Sequence, residues 1–350
     1  MPTSTPIHAM PAAACRPSQT LTPPPGASLP HHATSGTQGV TVVVPVYNVA
    51  AYIADCAASL FRQTYPDIEY IFCDDCTPDN SISILHDIAA QHPERRARVR
   101  VIRNTANMGL GATRLNLVRH IRTPFFIIAD SDDILPPDAV ATLMSVMERE
   151  EPDVVEGAYT EYCGGRHSAP ILPLHGTAAR YRRHILCQNL IGNHVWGKLY
   201  RTSVLRQLPD AFIQGIDYAE DLCFTARLAA FARRSATDAV VYHYRTDNSA
   251  SYTKNISRRS MLSYIKASEV IYRFYEARAD VTLPLEIGLL NVFRECRRNG
   301  IAHTEAEALL SYKPRHGITK ILQRLLCGGS TAYRTGDFLY RAIRLLCTMA

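Results

Sequence analysis

Short apolar runs alternate with amphipathic segments along residues 41–150. The first run, Val42-Val43-Val44-Pro45-Val46, is rich in β-branched residues, as a strand buried on both faces requires. The pattern predicts strands over 42–46, 68–73, 99–103 and 125–129, and helices over 52–60, 81–89, 111–121 and after Pro137. Four such alternations are typical of a mostly parallel, doubly wound α/β sheet.

Strands and helices no longer alternate regularly after residue 150. Strands are predicted over 153–159 and 238–244, and helices over 181–190 and 221–231. Residues 257–350 have a helical pattern with predicted breaks at Pro284, Pro314 and Gly328-Gly329. We therefore predict an α/β domain over residues 39–254 and a helical extension over 255–350. Residues 1–38 are predicted to be a disordered arm, because they hold too little apolar surface to offset the entropy of ordering.

The composition is that of a globular chain, but its charge is uneven. Of 350 residues, 47% are hydrophobic, and no apolar stretch approaches the roughly 20 residues that span a bilayer, so we do not expect an integral membrane protein. Ten cysteines are too dilute for a disulfide scaffold, and we expect reduced thiols in a cytoplasmic protein. The formal net charge is +6; residues 255–350 contribute +7 and residues 1–254 contribute −1.

Two segments of the basic extension, residues 318–326 and 338–346, are amphipathic. Each combines apolar positions with Lys or Arg. Such helices either pack on the α/β domain or lie on an anionic membrane surface, which would place the protein on the inner face of the cytoplasmic membrane. Both interpretations stay open at this point.

Polar residues follow each of the first four predicted strands. The segments are Pro45–Asn48, Asp74–Ser81, Asn107–Gly111 and Asp130–Asp133. Ligands of such sheets bind outside the carboxyl ends of the strands, so we expect these segments to share one site. Clustered carboxylates repel unless a cation or hydrogen-bond donors lie among them, and oxygen ligands select Mg²⁺ or Mn²⁺. A metal held by acids together with a substrate diphosphate therefore fits better than a closed protein cage.

These segments, in this order, resemble the motifs of the family 2 glycosyltransferases, an inverting group with the GT-A fold of nucleotide-diphospho-sugar transferases. The resemblance covers roughly residues 40–250 and implies that Asp130 and Asp132 bracket a divalent metal, with Asp133 nearby. It also implies a nucleotide-sugar pocket formed by Pro45, Tyr47, Asn48, Asp74, Asp75, Asn107, Gly109, Arg114, Asp130 and Ser131. The family usually has Gly-Ser after its acidic pair, whereas this chain has Cys76-Thr77, and a side chain there narrows the permitted backbone.

Two segments of the second half extend the resemblance. Trp196-Gly197-Lys198-Leu199-Tyr200 is similar to a Trp-x-Lys-Leu-Tyr segment of polysaccharide-type members, and Trp196 either packs against a sugar ring or belongs to the core. Glu220-Asp221 is similar to the family's Glu-Asp pair, in which the acid corresponding to Asp221 deprotonates the acceptor hydroxyl. Glu220 is the alternative base.

A final match follows the last predicted strand. His243 and Arg245 correspond to the family's downstream Tyr-Arg region and either contact the diphosphate or are ordinary surface residues. The resemblance as a whole implies metal-assisted, inverting transfer of a sugar from a nucleotide-diphospho-sugar, with a UDP-sugar favoured. The acceptor would be a hydroxyl of a glycan, a lipid-linked or a protein-linked molecule.

Two other classes of protein share parts of this sequence pattern. A GT-A-like nucleotidyltransferase would have the same sheet and acidic site, but it ordinarily has a Gly-rich loop with Lys or Arg after the first strand, which residues 45–51 lack. A basic nucleic-acid-binding module is disfavoured because acids at the expected site would repel phosphates. Cys73 and Cys76 have CxxC spacing, but no second Cys or His pair follows at the distance of a zinc site.

Overall fold

The computed structural model describes residues 38–188, 192–249, 254 and 256–349. The predicted arm over residues 1–38 therefore lies outside the described residues, apart from Gln38.

The described elements agree with most of the predicted ones to within a few residues. The strands are β1 Val40–Val46, β2 Ile68–Asp74, β3 Val99–Arg103, β4 Phe125–Ile128, β5 Val154–Cys163, β6 Arg166–His167, β7 Lys198–Arg201 and β8 Arg234–Arg245. The helices are α1 Ile53–Phe61, α2 Ser81–Ala90, α3 Pro93–Arg96, α4 Leu110–Arg119, α5 Ala139–Glu150, α6 Ala178–Leu186, α7 Val204–Gln207, α8 Glu220–Leu228, α9 Arg258–Tyr275, α10 Thr282–Arg298, α11 His303–Leu309, α12 Gly317–Cys327 and α13 Ser330–Met349.

All eight strands belong to one sheet with the order β3-β2-β1-β4-β7-β5-β6, and β8 pairs with β5. The first four strands of that order are parallel, which confirms the predicted doubly wound half. Strand β7 is antiparallel to both of its neighbours. The sequence analysis did not predict β7, because a four-residue strand is too short to show a period.

The apolar residues of β1 are buried on both faces of the sheet. Val42 and Val44 pack in one core with Leu60 and Leu143, and Val43 packs in a second core with Leu117. Successive strand residues point to opposite faces, so a strand covered by helices on both sides is apolar throughout. This packing leaves the carboxyl ends of the parallel strands free to form a site.

The C-terminal helices share a core with two helices of the α/β half. Ile185 of α6 and Leu222 of α8 belong to the same apolar cluster as Ile265, Leu289 and Tyr340. Helices α6 and α8 therefore join the two predicted regions through side-chain packing. Within the described part of the chain, no helix combines the length and the apolar character that a membrane crossing requires.

The predicted break at Pro284 is wrong. Pro284 lies in the first turn of α10, where a missing N–H costs no intrahelical hydrogen bond. The chain instead breaks at a 3₁₀ turn, Ala279–Val281. The other two predicted breaks are confirmed: Pro314 lies between α11 and α12, and Gly328-Gly329 separates α12 from α13.

Candidate active site

A cavity of about 840 Å³ opens at the carboxyl ends of β1, β2 and β4. One side, the strand-end half, is formed by its lining residues between positions 45 and 132. A second set of lining residues, the helical half, lies on or next to helices α6, α8, α9 and α10: Gln188, Tyr218, Met261, Tyr264, Asn291 and Glu295. Asp221, at the beginning of α8, connects the two halves, because it pairs with Arg114 while α8 packs with α9 and α10.

Most of the predicted site residues line this one cavity. They are Pro45, Tyr47, Asn48, Asp75, Asn107, Gly109, Arg114, Asp130, Ser131, Asp132, Trp196, Glu220 and Asp221. The acids expected to bracket a metal and both candidate bases thus share one hollow, although about ninety residues separate them in the sequence.

Arg114 joins these acids directly. Its buried guanidinium donates from Nη2 to Asp130 Oδ1 at 2.7 Å and from Nη1 to Glu220 Oε1 at 2.6 Å, and it also donates to Asp221 Oδ1. Arg114 was expected in the nucleotide pocket, and its bridge to the acids of α8 was not predicted. One cation therefore orients both candidate bases and a predicted metal-bracketing acid.

Burial and mutual repulsion shift the acids around Arg114. Burial raises the pKa of Asp130 to about 6, with repulsion from Asp221 and Asp132 adding to it and Arg114 opposing it. Burial and repulsion from Asp221 likewise raise the pKa of Glu220 well above its ordinary value. Burial opposes the charged form of Arg114, but attraction to Asp221, Asp130 and Glu220 prevails and raises its pKa. The guanidinium thus stays charged among three carboxyl groups.

Asp75 holds the loop that lines the strand-end half. Its Oδ1 accepts from the backbone N–H of Met108 at 2.8 Å, and its Oδ2 accepts from that of Gly109 at 3.0 Å. Gly109 has φ +85°, and a Cβ there would lie 2.4 Å from an oxygen of Asp217. The glycine is therefore needed for a close approach within the protein, whereas the sequence analysis had connected it with a ligand.

The acidic pair is followed by a strained residue. Cys76, which stands where the family usually has glycine, adopts φ +53°. A residue with a side chain tolerates this left-handed region only when its surroundings hold it there. The Cys76 thiol donates to the Asn104 carbonyl at 3.1 Å.

The structure places four predicted site residues outside the cavity lining. Asp133 is buried and accepts from Tyr242 Oη at 2.7 Å and from the Arg245 backbone N–H at 2.6 Å. Arg245 donates from Nη2 to Asp55 at 2.9 Å and from Nε to the Asp132 carbonyl at 2.7 Å. Both residues thus support the Asp130–Asp133 turn from behind.

The other two residues outside the lining are Asp74 and His243. Asp74 accepts from the Thr77 backbone N–H at 2.8 Å and pairs with Arg103 at 3.3 Å, so it fixes the turn after β2. The Nδ1 atom of His243 is 2.7 Å from Thr160 Oγ1. Burial lowers the pKa of His243 to about 4, so its ring is neutral near pH 7.

Trp196 lines the cavity but is almost fully buried in an aromatic stack. Its ring stacks on those of His194, Tyr242 and Tyr244, with centroid distances of 3.8, 4.6 and 5.2 Å. It also meets Tyr159 edge-on. These contacts favour the core interpretation of Trp196 over a ring surface open to a sugar.

A buried ionic cluster beneath the cavity was missed by the sequence analysis. Glu156 of β5 pairs with Arg234 and lies 3.6 Å from Lys198 Nζ. Lys198 Nζ donates at 2.6 Å to the carbonyls of Gly192 and His194, next to Trp196. The signal was a lysine flanked by apolar residues, which indicates burial and hence a fixed partner.

The helical half contains a cluster of hydrogen-bonded polar side chains that no sequence motif predicts. The Tyr264 hydroxyl donates to Gln188 Oε1, and Asn291 Nδ2 donates to Tyr264 Oη at 3.0 Å. Glu295 accepts on Oε1 from Arg294 at 2.6 Å and from Arg298 at 3.2 Å. Gln188 follows the end of α6, Tyr264 lies on α9, and Asn291 and Glu295 lie on α10, so only the packing of α9 and α10 against the end of α6 brings these side chains together.

The acids at this site fit a metal only when the substrate supplies the remaining ligands. Among the described residues, no group of three or more His, Cys, Asp or Glu side chains is arranged to hold a metal ion. Asp130 and Asp132 reach the cavity, whereas Asp133 is enclosed by protein donors. Two carboxylates with the remaining positions open is the donor set that Mg²⁺ or Mn²⁺ uses alongside a substrate diphosphate.

Comparison with known proteins gives consistent matches. The sequence model described as Glycosyl transferase family 2 matches residues 41–208. EpsJ of Bacillus subtilis (strain 168), an uncharacterized glycosyltransferase, is 31% identical over 215 residues, covering 59% of this chain and 60% of EpsJ. EpsH of the same organism, a putative glycosyltransferase, is 31% identical over 216 residues, covering 60% and 61%. The matches therefore span about three fifths of these relatives.

Solved structures share the fold. The S. aureus TarS fragment 1–349 in complex with UDP superposes with a TM-score of 0.63 at 20% identity, covering 87% of this chain and 91% of that one. The same fragment in complex with UDP-GlcNAc gives a TM-score of 0.58 at 18% identity, covering 87% and 92%. Residues 41–208, just under half of the chain, therefore match the glycosyl transferase family 2 model, and the chain shares the GT-A fold of these solved structures.

Proposed function

We propose that this protein transfers a sugar from a nucleotide-diphospho-sugar to an acceptor hydroxyl, with inversion at the anomeric carbon. The observation that carries the proposal is the bridge from Arg114 to Asp130, Glu220 and Asp221 inside the cavity at the sheet's carboxyl edge. This bridge places Asp221, which can act as a base, close to Asp130, which can face a diphosphate. The UDP and UDP-GlcNAc complexes of TarS support a UDP-sugar as the donor.

Asp221 is the better-placed base. Its side chain is 24% exposed, whereas that of Glu220 is 8% exposed. Arg114 holds Asp221 Oδ1, and the Val195 backbone N–H donates to Oδ2 at 3.3 Å, so the carboxylate is fixed against the cavity. A base that takes the proton from an acceptor hydroxyl on the side opposite the diphosphate gives single displacement without a covalent enzyme intermediate.

Asp130 and Asp132 would hold the metal in this proposal. A bound Mg²⁺ or Mn²⁺ supplies Lewis-acid stabilisation to the departing diphosphate. The chain's own contribution is to fix the two acids: Arg114 donates to Asp130, and Asn248 Nδ2 donates to Asp132 Oδ2 at 2.8 Å.

Two substitutions test the separation of roles. Asp221→Asn should lower sugar transfer by about 10²–10⁴-fold, the usual contribution of a general base, and leave metal-dependent nucleotide binding intact. Asp132→Asn should abolish transfer and weaken that binding. Transfer is measured with a panel of UDP-, GDP- and dTDP-sugars plus Mn²⁺, and binding by thermal shift with the same donors. Equal loss of nucleotide binding in both variants would remove the base assignment, and no response to any donor would overturn the proposed function.

We also propose that the C-terminal helices contact an anionic phospholipid surface. Both interpretations of these helices are supported in part, because Leu322, Leu326 and Tyr340 are packed in the core while other apolar residues face outward. The most exposed are Ile321, Phe338, Leu345, Leu346 and Met349, at 54–73%. Residues 310–350 carry seven Lys or Arg and one Asp, so the outward apolar groups lie on a basic segment.

Vesicle binding tests this contact. The full chain should sediment with phosphatidylglycerol vesicles more than with phosphatidylcholine vesicles, and added salt should weaken the binding. Phe338→Ser combined with Leu345→Ser should reduce it at least tenfold, while Leu172→Ser, which removes an exposed apolar residue elsewhere, should not. Equal binding by the double variant, or self-association through this face in light scattering, would refute the proposal.

A further inference from the structure

We infer that the helical half of the cavity binds an uncharged, polyhydroxylated acceptor, such as a neutral sugar residue. This inference rests on the proposed function and concerns the part of the cavity lined from the helices. Asp221 pairs with Arg114 and begins α8, which packs with α9 and α10, so we place the acceptor hydroxyl that it deprotonates beside the residues of the helical half. The residues there determine which acceptor chemistry is accepted.

The amide–hydroxyl group of the helical half suits hydroxyl recognition. Gln188, Tyr264 and Asn291 are neutral, and each can both donate and accept hydrogen bonds, as a sugar hydroxyl does. They hold one another: Asn291 Nδ2 donates to Tyr264 Oη at 3.0 Å and to Gln188 Oε1 at 3.3 Å. A site preorganised in this way rejects molecules that cannot pair with its buried polar groups.

The backbone around this group is constrained to hold it. Gln188 adopts φ +53°, a left-handed conformation that costs free energy in a residue with a side chain. Gly288 of α10 allows that helix to lie directly against the end of α6, since a Cβ there would be 1.8 Å from the Leu186 carbonyl oxygen. The left-handed backbone at Gln188 and the close packing at Gly288 together fix the position of Gln188 relative to Asn291.

The charge of the cavity excludes anionic acceptors. Among the described residues that line it, eight are Asp or Glu, whereas Arg114 is the one Lys or Arg. Arg114 is already shared by three acids. Arg294 pairs with Glu295 and Arg259 pairs with Asp217, but neither arginine lines the cavity. A phosphate or carboxylate on the acceptor would therefore be repelled, while the donor diphosphate would bring its own metal.

Apolar groups complete the subsite. Met261 and Tyr218 of the helical half line the cavity, and so does Ile256, which lies five residues before Met261 in the chain. Sugar rings present C–H faces beside their hydroxyls, and apolar side chains with a few placed polar groups are the usual lining of a small-molecule site. Glu295, whose Oε1 is held by Arg294 and Arg298, adds a fixed acceptor for hydroxyl protons.

Glycoside binding to the full chain tests the inference without requiring turnover. Saturation-transfer NMR should detect methyl glucoside, methyl galactoside and methyl N-acetylglucosaminide, with glucose 6-phosphate and methyl glucuronide as matched anionic probes. At least one neutral glycoside should bind at least tenfold more tightly than either anionic probe. Asn291→Ala should weaken its binding about tenfold, with nucleotide affinity unchanged within twofold. Asn107→Ala, in the strand-end half, should instead weaken nucleotide binding and leave glycoside affinity unchanged within twofold.

The outcomes separate this inference from the proposed function. Preferential binding of an anionic probe, no binding of any neutral glycoside, or binding unaffected by Asn291→Ala would overturn the inference. Tyr264→Phe, which keeps the ring and removes the hydroxyl, gives a second variant if Asn291→Ala fails to fold, and it should weaken binding in the same direction. Loss of all response to nucleotide-sugars would instead remove the proposed function, whatever the glycosides do.

Discussion

The two halves of the cavity are built in different ways. In the strand-end half, polar side chains are held by backbone N–H groups of neighbouring loops, such as those of Met108 and Gly109 on Asp75, which lie 33 and 34 positions along the chain. In the helical half, side chains hold one another across long stretches of sequence, as Gln188 and Asn291 do over 103 positions. The first half belongs to the carboxyl edge of one sheet and is held largely by backbone groups, whereas the second depends on side chains that meet where helices pack together.

This difference suggests a division of labour. The diphosphate is common to every nucleotide-sugar donor, so a fixed arrangement at the strand ends suffices to bind it. An acceptor varies, and a surface made from side chains on separate helices can change one residue at a time. Arg114 and Asp221 lie at the junction, where the two halves have to be aligned within hydrogen-bonding distance.

Breaking the junction should have the largest effect on stability. Arg114→Met leaves Asp130, Glu220 and Asp221 without their shared cation, and breaking a buried ion pair by removing one partner costs about 3–5 kcal/mol. Urea unfolding should show this loss. Arg149→Met, which breaks an exposed pair with Glu150 on α5, should cost less than about 1 kcal/mol. A loss below about 1 kcal/mol for Arg114→Met would mean that the three acids do not depend on it.

A smaller, pH-dependent effect should come from the ionic cluster beneath the cavity. Burial opposes ionisation of Glu156, but Lys198 and Arg234 lower its pKa to about 2, below the ordinary value of 4.5. The unfolded chain therefore binds this proton first as pH falls, so the stability that Glu156 contributes is complete above about pH 4.5 and is lost towards pH 2. Thermal melts of wild type and Glu156→Gln should differ near pH 6 and converge towards pH 2.

Lys198 behaves in the opposite sense within the same cluster. Burial lowers its pKa to about 8 from 10.5, because the loss of hydration outweighs attraction to Glu156. Between those pH values the unfolded chain binds the proton and the folded chain does not, so Lys198 makes the folded state more stable as pH rises. A difference between wild type and Glu156→Gln that is constant from pH 6 to pH 2 would contradict the pairing of Glu156 with its cations.

The sequence by itself determined the parallel half of the sheet and most of the strand-end half. Apolar runs such as Val42–Val46 report burial on both faces, and the residues after each strand are placed by chain connectivity alone. Strand β7, the helical course of Pro284 and the burial of Trp196 were not determined in this way, because each depends on neighbours distant in sequence.

Only the tertiary structure decided which hydrogen bonds and ion pairs connect the residues of the site. It placed Asp133 and Arg245 behind the acidic turn, and it joined Asp130 through Arg114 to Asp221, which lies 107 positions after Arg114 in the chain. It also assembled Gln188, Tyr264 and Asn291 from three separate helical segments. A motif specifies which groups follow a strand, but the partner of a buried charge or amide is chosen by packing, since each buried polar atom has to pair with whatever the fold brings within reach.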